Sequence, residues 1–283
     1  MRYARLVVTA HDEHWLAAAA HEFTGYASSV IACDCEAGIE RPLSPDETPD
    51  GRPGLAIMVF GFSTEALAKA VPNRVGQCLM TCPTTAVFDG AVFVGVNTAE
   101  ERIPLGKHLR YFGDGFQKSK LLEGRRYWRI PVMDGEFLIE HSLGVAKGVA
   151  GGNLILQAAT MQPALDAARR AVEAVAASPG VIAPFPGGIA RSGSKVGSRY
   201  KKLKASTSDA YCPTLRGRVE TKLHDGVNYA YELVIDGVDE HAVGAAMAAA
   251  IRAAAGAGVL AISAGNYGGK LGKFHFKLHE LLA

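Results

Sequence analysis

The strongest constraint on this chain is that one strand–helix pattern occurs in it twice. In the first half, alternating and 3.6-residue apolar spacing predicts a strand over 5–10, a helix over 11–23 closed by Gly25, and a strand over 29–33. A turn-rich stretch over 42–54 follows, then a strand over 55–60, a helix N-capped by Ser63 and a strand over 77–81. The second half predicts strands over 154–158 and 181–183 around a helix over 163–177, which has Pro163 near its first turn. It continues with a strand over 229–235, a helix over 239–255 and a strand over 259–263. Short echoes support a duplication: Val30-Ile-Ala32 and Gly38-Ile39 correspond to Val181-Ile-Ala183 and Gly188-Ile189. Phe60-Gly-Phe-Ser-Thr-Glu-Ala66 corresponds to Asp236-Gly-Val-Asp-Glu-His-Ala242.

The order β-α-β-β-α-β is that of a split βαβ, ferredoxin-like unit. The expected class is therefore α+β, with two ferredoxin-like lobes, each a predominantly antiparallel sheet flanked by helices. Between the copies, Tyr127 to Val132 and Glu136 to Glu140, joined at Asp134-Gly135, read as an added hairpin. The lobes are expected to span 1–141 and 142–283, the second carrying a long connection over 184–214.

That connection has neither period, yet it is too long for an idle loop in a compact domain. It holds Arg191, Lys195, Arg199, Lys201, Lys202 and Lys204 against one acid, Asp209, among many hydroxyls and glycines. Its tyrosines and Pro-Gly punctuation argue against plain disorder, so it reads as an ordered loop for an anionic ligand. The net charge of the whole chain is only +2, so anion binding must be local, and neither nucleic acid nor membrane is an expected partner. The aromatic strand motif of sheet-type RNA binders is absent from both copies. Met1 is followed by charged residues and a strand, unlike a signal peptide. The alanine-rich stretch over 242–262 contains Arg252, Gly256 and Gly258 and is too interrupted to span a bilayer. Five cysteines, an odd number, fit reduced thiols and a cytoplasmic location.

Individual residues point less firmly to chemistry. Cys33/Cys35 and Cys78/Cys82 lack zinc-ligand spacing, so buried thiols are the simpler reading and no metal is expected. Cys212 has no nearby base to activate it. His14 and His21 share a helix face without an acidic partner. The glycine-rich run Ala264 to Lys273 follows the last strand and contains Asn266 and Lys270; it is either a plain turn or an anion cradle. Strand alternation puts Glu232 on the same face as Ala230 and Val234. A carboxylate there is either solvated at an edge or desolvated and suited to proton transfer; by itself the pattern favours the edge.

Several longer runs resemble formylmethanofuran:tetrahydromethanopterin formyltransferases. They are Glu36-Ala-Gly-Ile39, Glu47 to Gly54, Gly76-Gln-Cys78, Phe112-Gly-Asp-Gly115, Gly148 to Asn153, Ala183 to Ile189, Ser206 to Thr214 and Ile262 to Gly272. The resemblance covers essentially the whole chain. Thr81 to Ala86 and the Cys33-to-Gly38 run are similar to methylotrophic-bacterial members, where the chain is a subunit of a formyltransferase/hydrolase complex. The resemblance implies formyl transfer between methanofuran and N5 of tetrahydromethanopterin or its bacterial analogue. Both are carrier co-substrates, and no bound cofactor or metal is implied. It also implies a homotetramer, with formyl-hydrolase subunits as possible partners, and a non-catalytic substrate-handover subunit is the alternative. Family members usually begin earlier, with a strand and an acidic segment, and the archaeal ones are strongly acidic.

The family's catalytic glutamate corresponds to Glu232 in Tyr231-Glu-Leu-Val-Ile-Asp-Gly237, which reverses the edge reading. Arg191, Lys195, Arg199 and Lys270 are then expected to hold the acidic carrier tails. Ser206, Ser208 and Asn266 are the expected oxyanion donors, and Ser192, Ser194, Asp209 and Tyr211 complete the expected substrate-binding set.

Overall fold

A computed structural model describes residues 1–93, 101–265 and 273–283. The chain divides into two compact units, Met1–Gly148 and Val149–Ala283. The first contains β1 (Arg2–Thr9), α1 (Glu13–Thr24), β2 (Glu36–Leu43), β3 (Gly54–Gly61), α2 (Thr64–Arg74) and β4 (Ala86–Asp89). It continues through α3 (Gly90–Phe93), β5 (Glu101–Pro104), α4 (Gly106–Leu109), β6 (Lys118–Leu122), β7 (Arg125–Val132), β8 (Gly135–Glu140) and β9 (Ser142–Lys147). The second contains β10 (Val149–Ala158), α5 (Met161–Ala176), β11 (Val181–Ile182), β12 (Ile189–Ala190), β13 (Lys195–Val196) and β14 (Ala205–Ser206). It ends with β15 (Tyr229–Gly237), α6 (Glu240–Ala254), β16 (Val259–Ser263) and α7 (Leu278–Leu282).

The first unit has the strand order β2-β3-β1-β4 with every neighbour antiparallel, which is the split βαβ order. β4 then pairs in parallel with β8, extending the sheet through the β8-β7-β6 hairpins. β1 serves two partners along one edge: Leu6 to Thr9 pair with β4, and Arg2 to Ala4 with β9. The helices start where polar caps stop the strands. Asp12 accepts from His14 N and Trp15 N at the start of α1, and Ser63 accepts from Ala66 N at the start of α2. Leu16, Ala19, Ala20 and Phe23 of α1 then bury against Leu6, Val8, Ile57 and Val59.

Two expected strands of this unit are helical or turn structure instead. Residues 29–33 close a local turn in which Ala32 N and Cys33 N both donate to Ser29 O, and Ile31 is left exposed. The strand forms later, at Glu36. Residues 77–81 lie in or just after a π-helical turn, Val75–Leu79, where Met80 N bonds back to Val75 O. Pro72 interrupts the ladder just before it, and a short apolar run there has no period of its own to separate strand from helix. The fourth strand is Ala86–Asp89.

The second unit repeats the order as β11-β15-β10-β16, again antiparallel throughout, with β12 also on β15. The repeated Gly-Ile step is structural in both copies: Ile39 pairs with Ile57 on β3, and Ile189 with Leu233 on β15. Leu154, Leu156, Leu233 and Ile235 face α5 and α6 and form the core with Ala167, Ala171, Ala246, Met247 and Ala250. Arg170 of α5 ties the two helices by donating to Ala253 O and Ala254 O at the C-terminal end of α6. No described helix is long and apolar enough to cross a membrane.

The helix-free face of the first sheet is also buried. Val7, Leu43, Ala56, Ala86, Phe88 and Tyr127 cluster there. A charged pair lies among the strands that carry them: Arg5 donates to Glu40 through Nε at 2.6 Å and Nη2 at 2.8 Å, with both side chains 2% exposed. Glu40 is the extra residue of a β-bulge, skipped between Ile39 and Arg41 in the pairing with β3. Removing one partner strands a buried charge. Glu40→Ala should cost about 3–5 kcal/mol, read as a lower midpoint in urea unfolding, whereas joint replacement of Arg5 and Glu40 by apolar residues should cost much less. Equal midpoints for Glu40→Ala and the parent would refute this role.

Candidate active site

In the second unit, the face of the sheet turned away from α5 and α6 is polar. β10 alternates, with Leu154 and Leu156 in the helix-side core and Asn153, Ile155 and Gln157 opposite; all three are buried. Glu232 and Asp236 on β15 lie on this face and are 2% and 0% exposed. Glu232 is not at an edge: it pairs with Ile155 of β10 on one side and Ala190 of β12 on the other. The edge reading fails because β12, a two-residue strand inside the long connection, covers the flank of β15.

Five hydrogen bonds fix these polar groups. Asn153 Nδ2 donates to Glu232 Oε1 at 2.7 Å, and Asn153 Oδ1 accepts from Gly265 N at 3.1 Å. Gly151, at φ +90° in a bulge of β10, donates its N–H to Asp236 Oδ1 at 2.9 Å. Gln157 links β10 to two neighbours, donating to Ser263 Oγ and accepting from His224 N, both at 2.9 Å.

The connection over 184–214 is ordered by its own hydrogen bonds and passes over Glu232. β13 and β14 pair Lys195 with Ser206. Ser208 N and Thr207 Oγ1 both donate to Ser192 O, and Tyr211 N to Ser208 O. The close approach occurs at Gly193, which has φ +62°: a methyl there would lie 2.6 Å from Ser208 Cβ and 3.7 Å from Glu232 Oε2. Gly193, Ser208 and Glu232 thus form one packed group.

The other expected residues divide by location. Arg191, Ser192 and Arg199 are exposed, and Ser194 and Tyr211 half-buried. Lys195 donates to Asp209 at 2.7 Å, so its charge is balanced inside the loop; that ammonium hydrogen bond holds the Asp209 carboxyl below the usual carboxylate range. The Ser206 hydroxyl donates to Gly197 O, away from the Glu232 group. Asn266 and Lys270 lie outside the described residues. Cys212 Sγ bonds to Ser208 O, and all five cysteines are free. Burial pushes the Cys35 thiol up to about 12, which makes it a packing residue and no nucleophile. Among the described residues no His, Cys, Asp and Glu group could hold a metal ion.

Asn153, Gly193 and Gln157 were not singled out from the sequence. The polar pair Asn153 and Gln157, spaced by four in an otherwise apolar strand, carried the signal, since it marks one face. For Gly193 the signal was weaker, one glycine among many in its segment.

Relatives give this geometry its context. Residues 1–132 match the family model for formylmethanofuran-tetrahydromethanopterin formyltransferase, and 135–281 the model for its proximal lobe. The formylmethanofuran–tetrahydromethanopterin formyltransferase of Methylococcus capsulatus is 53% identical over 100% of this chain and 94% of its own length. The formyltransferase of Methanosarcina barkeri superimposes with a TM-score of 0.92 at 47% identity, over 99% of this chain and 94% of that one. The formyltransferase/hydrolase complex of Methylorubrum extorquens, solved with methylofuran, contains a chain that superimposes at 0.94 with 49% identity, over 100% of this chain and 93% of that one. By sequence and by fold alike, this chain belongs to the formylmethanofuran–tetrahydromethanopterin formyltransferase family.

Proposed function

We propose that this chain transfers a formyl group between the amine of a methanofuran-type carrier and N5 of tetrahydromethanopterin or its bacterial analogue, with Glu232 as the acid and base. The observation that carries the reading is Glu232 itself. It is a carboxylate buried mid-sheet, held by an amide and roofed by a tight glycine, on a chain of this family. The reaction breaks one formamide C–N bond and forms another. The attacking amine gives up one proton and the expelled amine gains one, so a single carboxyl can take the first and return the second. The tetrahedral intermediate between them carries an oxyanion that needs a donor. Ser208 and Glu232 both lie beside Gly193, whereas the Ser206 hydroxyl donates to Gly197 O, which supports Ser208 over Ser206 in that role.

The acidic carrier tails suit the exposed Arg191 and Arg199, while Lys195, paired with Asp209, organises the loop. The chain works with its carriers as co-substrates and no resident cofactor, as a homotetramer in the cytoplasm. Its likeness to one component of the Methylorubrum extorquens formyltransferase/hydrolase complex also favours formyl-hydrolase partners. That relative supports the second reading as well, a handover subunit without activity of its own. Formyl exchange by the purified chain alone decides between them.

Glu232→Gln keeps the shape and the neighbours. It should lower turnover roughly 100- to 10,000-fold while both carriers still bind, as measured by calorimetry; turnover near the parent value would sink the assignment. Arg191→Ala with Arg199→Ala should raise KM for at least one carrier and flatten its dependence on salt, leaving kcat nearly unchanged. A KM equal to the parent's at low salt would remove both residues from carrier binding.

A further inference from the structure

We infer that Asn153 is the positioning residue for Glu232, holding its carboxyl group by Oε1; the inference rests on the acid–base role proposed above. An asparagine amide has a donor end and an acceptor end, and its orientation must be assigned from its partners. Here the assignment follows from Gly265. A backbone N–H can only donate, so the atom of Asn153 facing it, 3.1 Å away, is the carbonyl Oδ1. The NH2 end is then turned to Glu232 and donates to Oε1 at 2.7 Å.

That donor holds Oε1 and with it the orientation of the carboxyl group, so that Oε2 is the oxygen set beside Gly193, within the group that contains Ser208. Asn153 exchanges no proton and touches no reacting atom. Its 6% exposure keeps water from competing for the hydrogen bond. The same side chain anchors Gly265, at the start of the glycine-rich run, so one amide aligns the carboxylate and the strand end beside it.

A double-mutant cycle on the full chain, assayed for formyl transfer with both carriers, tests the assignment. Asn153→Ala should lower kcat roughly 10- to 100-fold, the scale of one hydrogen bond to a charged group, with KM for both carriers little changed. Asn153→Asp keeps the shape and the acceptor for Gly265 N but removes the donated N–H, and it should fall at least as far. In the Glu232→Gln background neither change should lower the residual rate further, because a positioning residue has nothing left to position. Parent-level kcat in Asn153→Asp would overturn the inference by reducing Asn153 to a loop anchor, and so would losses that multiply with Glu232→Gln. Melting curves show that each variant is folded, and should Asn153→Ala fail to fold, the isosteric Asp variant still decides. If Glu232→Gln alone keeps full turnover, it is the acid–base reading that fails.

Discussion

A carboxylate in the middle of a sheet has no water to solvate it, so its neighbours must do so. Leaving such a group unsatisfied would consume a large part of a domain's marginal stability. In the second unit this requirement organises everything around β15. The long ladder with β10 fixes the register that sets Glu232 opposite Ile155 and brings Asn153 within reach. A slip of one residue would turn Glu232 into the alanine- and leucine-lined core under α5 and α6. The apolar side of the sheet therefore holds the polar side in place: the burial of Leu233 and Ile235 under the helices keeps Glu232 on the opposite face.

The two units answer the same architectural problem differently. Each sheet is built around four antiparallel strands in the same order, with helices on one face and a second face that needs filling. In the first unit that face takes Val7, Ala56, Phe88 and Tyr127, with the Arg5–Glu40 pair carried on the same strands. In the second it takes Asn153, Gln157, Glu232 and Asp236 beneath a loop. A bulge accompanies a buried carboxylate in both: one provides the position of Glu40, and the other turns the N–H of Gly151 towards Asp236. A duplicated scaffold has kept the pairing order while one copy specialised in packing and the other in polar chemistry.

Much of this was legible in the residues. The amphipathic helices and the β15 alternation were plain, because Ser63 marks a helix start and Glu232 was placed on the face opposite Leu233 and Ile235; the caps Asp12 and Asp239 were not singled out. The errors fell on short apolar runs, Val30 to Ala32 and Leu79 to Met80, where period carries little information and local turn hydrogen bonds decide. Glu232 was readable as a residue on the correct face, but not as buried, since burial depends on β12 arriving from elsewhere in the chain. Asn153 was missed for the same reason. Its partners are 79 and 112 residues away, and only the assembled sheet brings them together.

Gly193 has a consequence for how this site can vary. Its left-handed backbone and the 2.6 Å that would separate a methyl there from Ser208 Cβ leave no room for a side chain. Any side chain at 193 would have to displace Ser208 or shift the loop backbone, so how closely the connection between β12 and β15 lies to the Glu232 carboxylate is a property of the loop's path.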